Sequence, residues 1–169
     1  LKIENDLLVE RVNLLDSTIQ KNQLKLGILL PFKVKEIVFD SIEDTKKTLA
    51  GRNLHTLSLD FYTGVLFALE KASKRNIEIE LKTYDTANDK YQIKKFIDAE
   101  VLKDLDLLIG PLIPTNFDFI SNEPSLKNIP KIAPLSSRSA KFRKNVFQSV
   151  TSEKDYRNKM YEYLETKLD

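Results

Sequence analysis

The stretch Leu26-Gly27-Ile28-Leu29-Leu30 is an apolar run without a polar break, closed by Pro31 and Phe32. A strand with no polar side chain has no face to show to water. It must lie inside a sheet covered on both sides. Sheets of that kind are parallel, and parallel neighbours need helical crossovers between them. The rest of the chain should therefore alternate helices with strands.

It does. Residues 54–74 read as a helix whose inner face is Leu57, Phe61, Val65, Ala68, Leu69 and Ala72. Gly64 inside it is expected to mark close approach to the sheet, and Asn76 to close it in the left-handed conformation. Residues 77–84 alternate apolar and polar, as a strand near a sheet edge does. Asp85–Asp89 carries turn and helix-capping residues. A second helix then runs to about Lys103 and buries Ile93, Phe96, Ile97 and Val101.

Leu105–Ile109 reads as a short strand, broken by Gly110-Pro111-Leu112-Ile113-Pro114. A short helix over Asn116–Asn122 turns Phe117 and Ile120 inward. Strands follow at Ile129–Leu135 and Asn145–Val150. Ser152, with Asp155 three residues on, caps a last helix with an inner stripe of Tyr156, Met160, Tyr163 and Leu164. Residues 33–53 read as a long loop. Residues 1–22 read as an amphipathic linker helix, with Leu1, Leu8, Val12, Leu15 and Ile19 on one side. It packs on a partner or on its own domain.

This order predicts an α/β fold, a flavodoxin-like three-layer parallel sheet in the order 2-1-3-4-5. Ligands of such sheets bind at the carboxyl ends of the strands. The residues to read there are Pro31-Phe32, Asp85-Thr86, Gly110-Pro111-Leu112, Ser136-Ser137 and Ser149-Val150-Thr151. Small residues, hydroxyls, one acid and one aromatic are the composition of a cleft for a small polar molecule. Taken singly, each also has a purely structural role as turn or cap.

Composition removes several chemistries. The 169 residues include no cysteine, which excludes disulfides, thiolate catalysis and cysteine-based metal sites. His55 is the single histidine. Lys and Arg number 27 against 25 acids, so the +2 net charge does not point to nucleic acid. No apolar run reaches the length of a membrane span. There is no Gly-x-Ser-x-Gly elbow, no glycine-rich loop after the first strand and no acidic pair there. Asp104 and Asp106 read as solvated residues of a surface turn. The reading is a non-enzymatic protein with no cofactor. One local feature stands out: Lys131, Arg138, Lys141, Arg143 and Lys144 lie between 131 and 145 without an acid. It is either a solvated loop or a hold for an anionic partner, such as a cell-wall polymer or lipid headgroup.

Five motifs, in order, carry a family resemblance: Gly27–Phe32, Leu59–Ala68, Tyr84-Asp85-Thr86, Leu108–Leu112 and Ile129–Ser137. Over about residues 25–150 the chain resembles the type I periplasmic binding proteins, in the branch of the leucine/isoleucine/valine-binding proteins. It is also similar to the outer-membrane lipoprotein activators of penicillin-binding proteins. The resemblance implies that residues 23–169 are the N-terminal lobe of a two-lobed clamp, with the second lobe outside this chain. It implies ligand contacts at Gly110, Pro111 and Leu112 and at Leu135, Ser136 and Ser137, with Phe32 and Asp85 on the floor. Relatives of this kind often follow LysM-type peptidoglycan-binding modules in envelope lipoproteins. The implied place is the periplasm or the periplasmic face of the outer membrane, with any lipid anchor outside this chain. The implied task is binding a small polar or amino-acid-like ligand. The alternative is a ligand-free scaffold docking onto an envelope or cell-wall protein complex, which the bulky Leu112-Ile113 pair and residues 1–22 favour.

Overall fold

Strand β1 (Gln23–Leu30) lies between β2 (Glu78–Asp85) and β3 (Leu107–Ile109), parallel to both. The computed structural model describes residues 23–138 and 143–168, so the helix expected at 1–22 lies outside the described residues. β4 (Lys131–Ala133) and β5 (Val146–Gln148) complete a five-stranded, all-parallel sheet in the order β2-β1-β3-β4-β5. The apolar run is central, as its composition requires: Ile28, Leu29 and Leu30 are fully buried. The alternating β2 is an edge strand.

The two faces of β1 separate the core into two clusters. Leu26, Ile28 and Leu30 meet α2 (Leu54–Ser73) through Leu57, Phe61, Tyr62 and Val65. Leu29 meets α3 (Lys90–Asp98) and α4 (Pro114–Ser121) through Ile93, Ile97 and Ile120. This is a three-layer arrangement, with helices on both sides of the sheet. Its handedness follows from the crossovers. β1 to β2 steps one way and β2 to β3 back the other, so right-handed connections put α2 on one face and α3 and α4 on the opposite one. Toward β5 the α2 face opens: Ile132 is half-buried and Phe147 is 44% exposed.

Local chemistry sets the helix ends. Asn53 and Thr56 form a reciprocal capping box at the start of α2. Asn76, at φ 58°, closes the turn after it. Asp89 caps α3 by accepting the Tyr91 N–H at 2.9 Å. Ser152 Oγ accepts the Asp155 N–H at 3.1 Å and donates to its carboxylate at 2.6 Å, opening α5 (Glu153–Leu168).

Several expectations are corrected. Residues 33–53 are not one loop. They hold a short 3-10 turn, Val34–Glu36, and a helix, α1 (Ile42–Thr48). Ser41 caps α1, with acids in its first turn and lysines in its last, and these offset the lack of any buried residue. α3 stops at Asp98 because Glu100 takes a left-handed backbone. That twist exposes Val101 and buries Leu102 completely instead. Gly64 approaches nothing: a Cβ there would meet open space. Ala68 is exposed as well. The stripe Tyr156, Met160, Tyr163 and Leu164 is not inward-facing; each is 43% exposed or more.

Candidate strand-end cleft

The carboxyl ends of the strands gather most of the residues singled out above, in two groups. Leu112, Leu135, Ser136 and Ser137 line one open depression of about 450 Å³, together with Arg52, Leu57, Pro114 and Arg138. Phe32 and Asp85 do not line it. They sit at the β1–β2 end and hold the chain that leads away from the sheet.

Phe32 packs edge-on against Tyr62, with ring centroids 5.7 Å apart. This pins the exit of β1 to α2. Asp85 accepts three backbone N–H groups: Lys33 at 3.0 Å, Val34 at 2.9 Å and Ala87 at 2.8 Å. Its two oxygens are thereby committed to backbone, across the gap between neighbouring strand ends. Lys33 accepts a left-handed backbone at φ 54° in the same turn.

Gly110 works through its backbone. Its φ is 89°, and a Cβ there would lie 2.5 Å from the Leu29 carbonyl oxygen. Only glycine lets the chain turn off β3 this close to β1. Pro111, joined to Gly110 by a cis bond, and Leu112 are both buried. They line a second, smaller hollow of about 160 Å³ beside α4, shared with Ser136 and Arg138.

The loop after β4 is tied at several points. The Arg138 N–H donates to Ser136 Oγ at 3.1 Å, and the Gln148 amide donates to the Ser136 carbonyl at 2.5 Å. The Glu153 N–H donates to the Ser137 carbonyl at 2.8 Å. Ser149 Oγ donates to the Ala133 carbonyl at 3.2 Å and also contacts the Pro134 carbonyl. The Ser136 hydroxyl retains its own hydrogen for an acceptor, and Ser137 Oγ makes no hydrogen bond among the described residues. The depression thus presents two hydroxyls and two guanidinium groups, with no acid in its lining.

No family model, curated protein or solved structure matches the chain.

Sequence reasoning missed Arg52, which the turn before α2 brings to the cleft, and did not place Arg138 there. The signal for Arg52 was its place beside Gly51, whose φ of 71° turns the chain into α2. It also missed a polar pair between α4 and the β2–α3 turn. Asn116, 4% exposed, donates to the Asn88 side chain at 2.9 Å. Asn88 stands at φ 57°, a conformation asparagine tolerates. His55 is 9% exposed, and its Nε2 has no hydrogen-bond partner among the described residues. No group of three His, Cys, Asp or Glu side chains forms a metal-binding cluster among the described residues. No described helix is long and apolar enough to cross a membrane.

Proposed function

We propose that this chain is a non-enzymatic binding module of the bacterial envelope, one lobe of a clamp like that of the type I periplasmic binding proteins. Its ligand is a small polar, amino-acid-like molecule held at the strand-end cleft. The observation that supports this is the shared lining of that cleft by Ser136, Ser137, Arg52 and Arg138. Hydroxyls and guanidiniums converge on a carboxylate by charge-assisted hydrogen bonds, and Leu57, Leu112 and Leu135 supply an apolar wall for the rest of the ligand. A second lobe closing over the cleft would supply the remaining contacts.

Calorimetry tests this with the chain itself and with its complete reading frame, titrated with amino acids and peptidoglycan fragments. Binding that weakens at least tenfold in Ser136→Ala and Arg138→Ala supports the reading. Absence of binding in both proteins overturns it.

A second reading is a scaffold that docks onto an envelope protein complex. It is favoured by α5, whose Tyr156, Met160, Tyr163 and Leu164 are exposed together on one helix. Capture of one defined envelope protein, lost in Tyr156→Ser/Met160→Ser and unaffected by Ser136→Ala, would favour it over the cleft.

A further inference from the structure

The amino ends of β4 and β5 lie at the opposite end of the sheet from the cleft, and Lys131, Arg143 and Lys144 of the basic run meet there. Lys131 opens β4. It is 1% exposed, so it is not part of a solvated loop. Its ammonium donates to the Leu126 carbonyl at 2.5 Å and the Ile129 carbonyl at 2.9 Å. No acid pairs with it within 4.0 Å among the described residues. A buried cation satisfied only by carbonyls keeps one N–H and most of its charge uncompensated.

Around it is an open depression of about 470 Å³, lined among others by Ser121, Glu123, Lys127, Lys131, Arg143 and Lys144. Four cations face one acid. That acid, Glu123, accepts the N–H and hydroxyl of Ser125 at 3.3 and 2.9 Å and so is held to its own turn. Lys127, Arg143 and Lys144 have no ion-pair partner among the described residues. Arg143 donates one N–H to the Ser121 carbonyl at 3.5 Å and keeps its other donors. The Lys127 carbonyl accepts the Asn145 amide at 3.2 Å, which ties the two loops of the rim together. Ser121 Oγ is buried and has no hydrogen-bond partner among the described residues. Ser121 and Lys131 line the same depression, and each has an O–H or N–H left to donate.

We infer that this depression is a binding site for a phosphate group, with Lys131 and Ser121 at its base and Lys127, Arg143 and Lys144 at its rim. A tetrahedral oxyanion suits it better than a halide. Its several oxygens accept from donors that arrive from three separate elements: the end of α4, the start of β4 and the loop before β5. The phosphate has two possible sources, a free ion or a lipid headgroup. The proposal is independent of the strand-end cleft, whose residues it does not use.

The test uses the full chain. Titration with inorganic phosphate at constant ionic strength, balanced with sodium chloride, is expected to raise the unfolding midpoint. Arg143→Gln and Lys144→Gln should each weaken the phosphate effect by about tenfold. Ser121→Ala, which changes no charge, should weaken it severalfold; loose surface attraction would not respond to that change. Phosphatidylglycerol vesicles, set against phosphatidylcholine ones, separate the sources. Binding to the first, displaced by phosphate, assigns a lipid headgroup. Phosphate binding without vesicle binding assigns the free ion. The proposal is overturned if phosphate stabilises no more than chloride, or if Ser121→Ala and Arg143→Gln bind phosphate as the wild type does.

Discussion

The Asp85 carboxylate accepts the Val34 N–H at 2.9 Å, so the end of the edge strand β2 holds the chain that leaves the central strand β1. The neighbouring Lys33 N–H and the Ala87 N–H complete the arrangement at 3.0 and 2.8 Å. One acid thus organises two strand ends. Removing it leaves three backbone donors to find water or go unpaired. Asp85→Ala should cost about 2 kcal/mol by urea denaturation, and Asp85→Asn should recover part of that loss. A cost within about 0.5 kcal/mol would mean that the carboxylate merely lies beside these amides.

Two glycines should respond in opposite directions to the same substitution. Gly110→Ala forces a Cβ at φ 89° to within 2.5 Å of the Leu29 carbonyl oxygen, against rigid backbone. It should destabilise by about 2 kcal/mol or more. Gly64→Ala meets open space in the exposed middle of α2 and should stabilise by about 0.5–1 kcal/mol. Thermal unfolding of the two variants reads both signs. A loss of stability in Gly64→Ala would show that this helix face is in use.

Lys131 should make stability depend on alkaline pH. Burial holds its ammonium below the ordinary lysine value of 10.5. The folded state therefore binds fewer protons than the unfolded state between that lowered value and 10.5. Stability from this group rises with pH across the window, and the penalty is fully present below it. The difference in unfolding free energy between wild type and Lys131→Met cancels the other titrating groups. It should move in favour of the wild type as the pH rises toward 10.5. A difference that stays flat over that range would contradict the assignment.

Lys25 and Asp104 form an exposed pair at 2.5 Å, and each shifts the other. The hydrogen bond from Lys25 holds the Asp104 carboxyl below its ordinary range, and the same bond raises Lys25. For Asp104 the folded value lies under the unfolded one, so the pair's support is present above the ordinary carboxylate range and lost on acidification. Carbon-detected NMR titration should place the Asp104 midpoint low in the wild type. It should return to the ordinary value in Lys25→Met and move toward it at 1 M salt, an ionic strength at which exposed pairs are screened over about 3 Å.

The order of elements was legible in the sequence because burial leaves a periodic trace. The apolar run placed β1 at the centre, the alternation of Ile79, Leu81 and their polar neighbours placed β2 at the edge, and Phe117 and Ile120 turned inward as their spacing required. α1 was missed because it buries nothing; a helix held by Ser41 and end charges leaves no apolar period to read. The stripe of α5 was misread for the converse reason. Its spacing is that of a packed face, yet spacing does not say whether anything lies opposite.

At the strand ends, sequence singled out Ser136, Ser137, Leu112 and Asp85 but not their division of labour. Whether a carboxylate faces solvent or three backbone amides depends on where residues some fifty positions away arrive, as Val34 does at Asp85. Sequence by itself determined the layers, the strand order and the turn chemistry, because these follow from local period and local sterics. Tertiary structure alone decided that Arg52 joins Arg138, that His55 and Lys131 are buried, and that Lys131, Arg143 and Lys144 line one depression with Ser121. Those outcomes rest on long-range packing, which sets each group's desolvation and neighbours and leaves no mark on the spacing of residues along the chain.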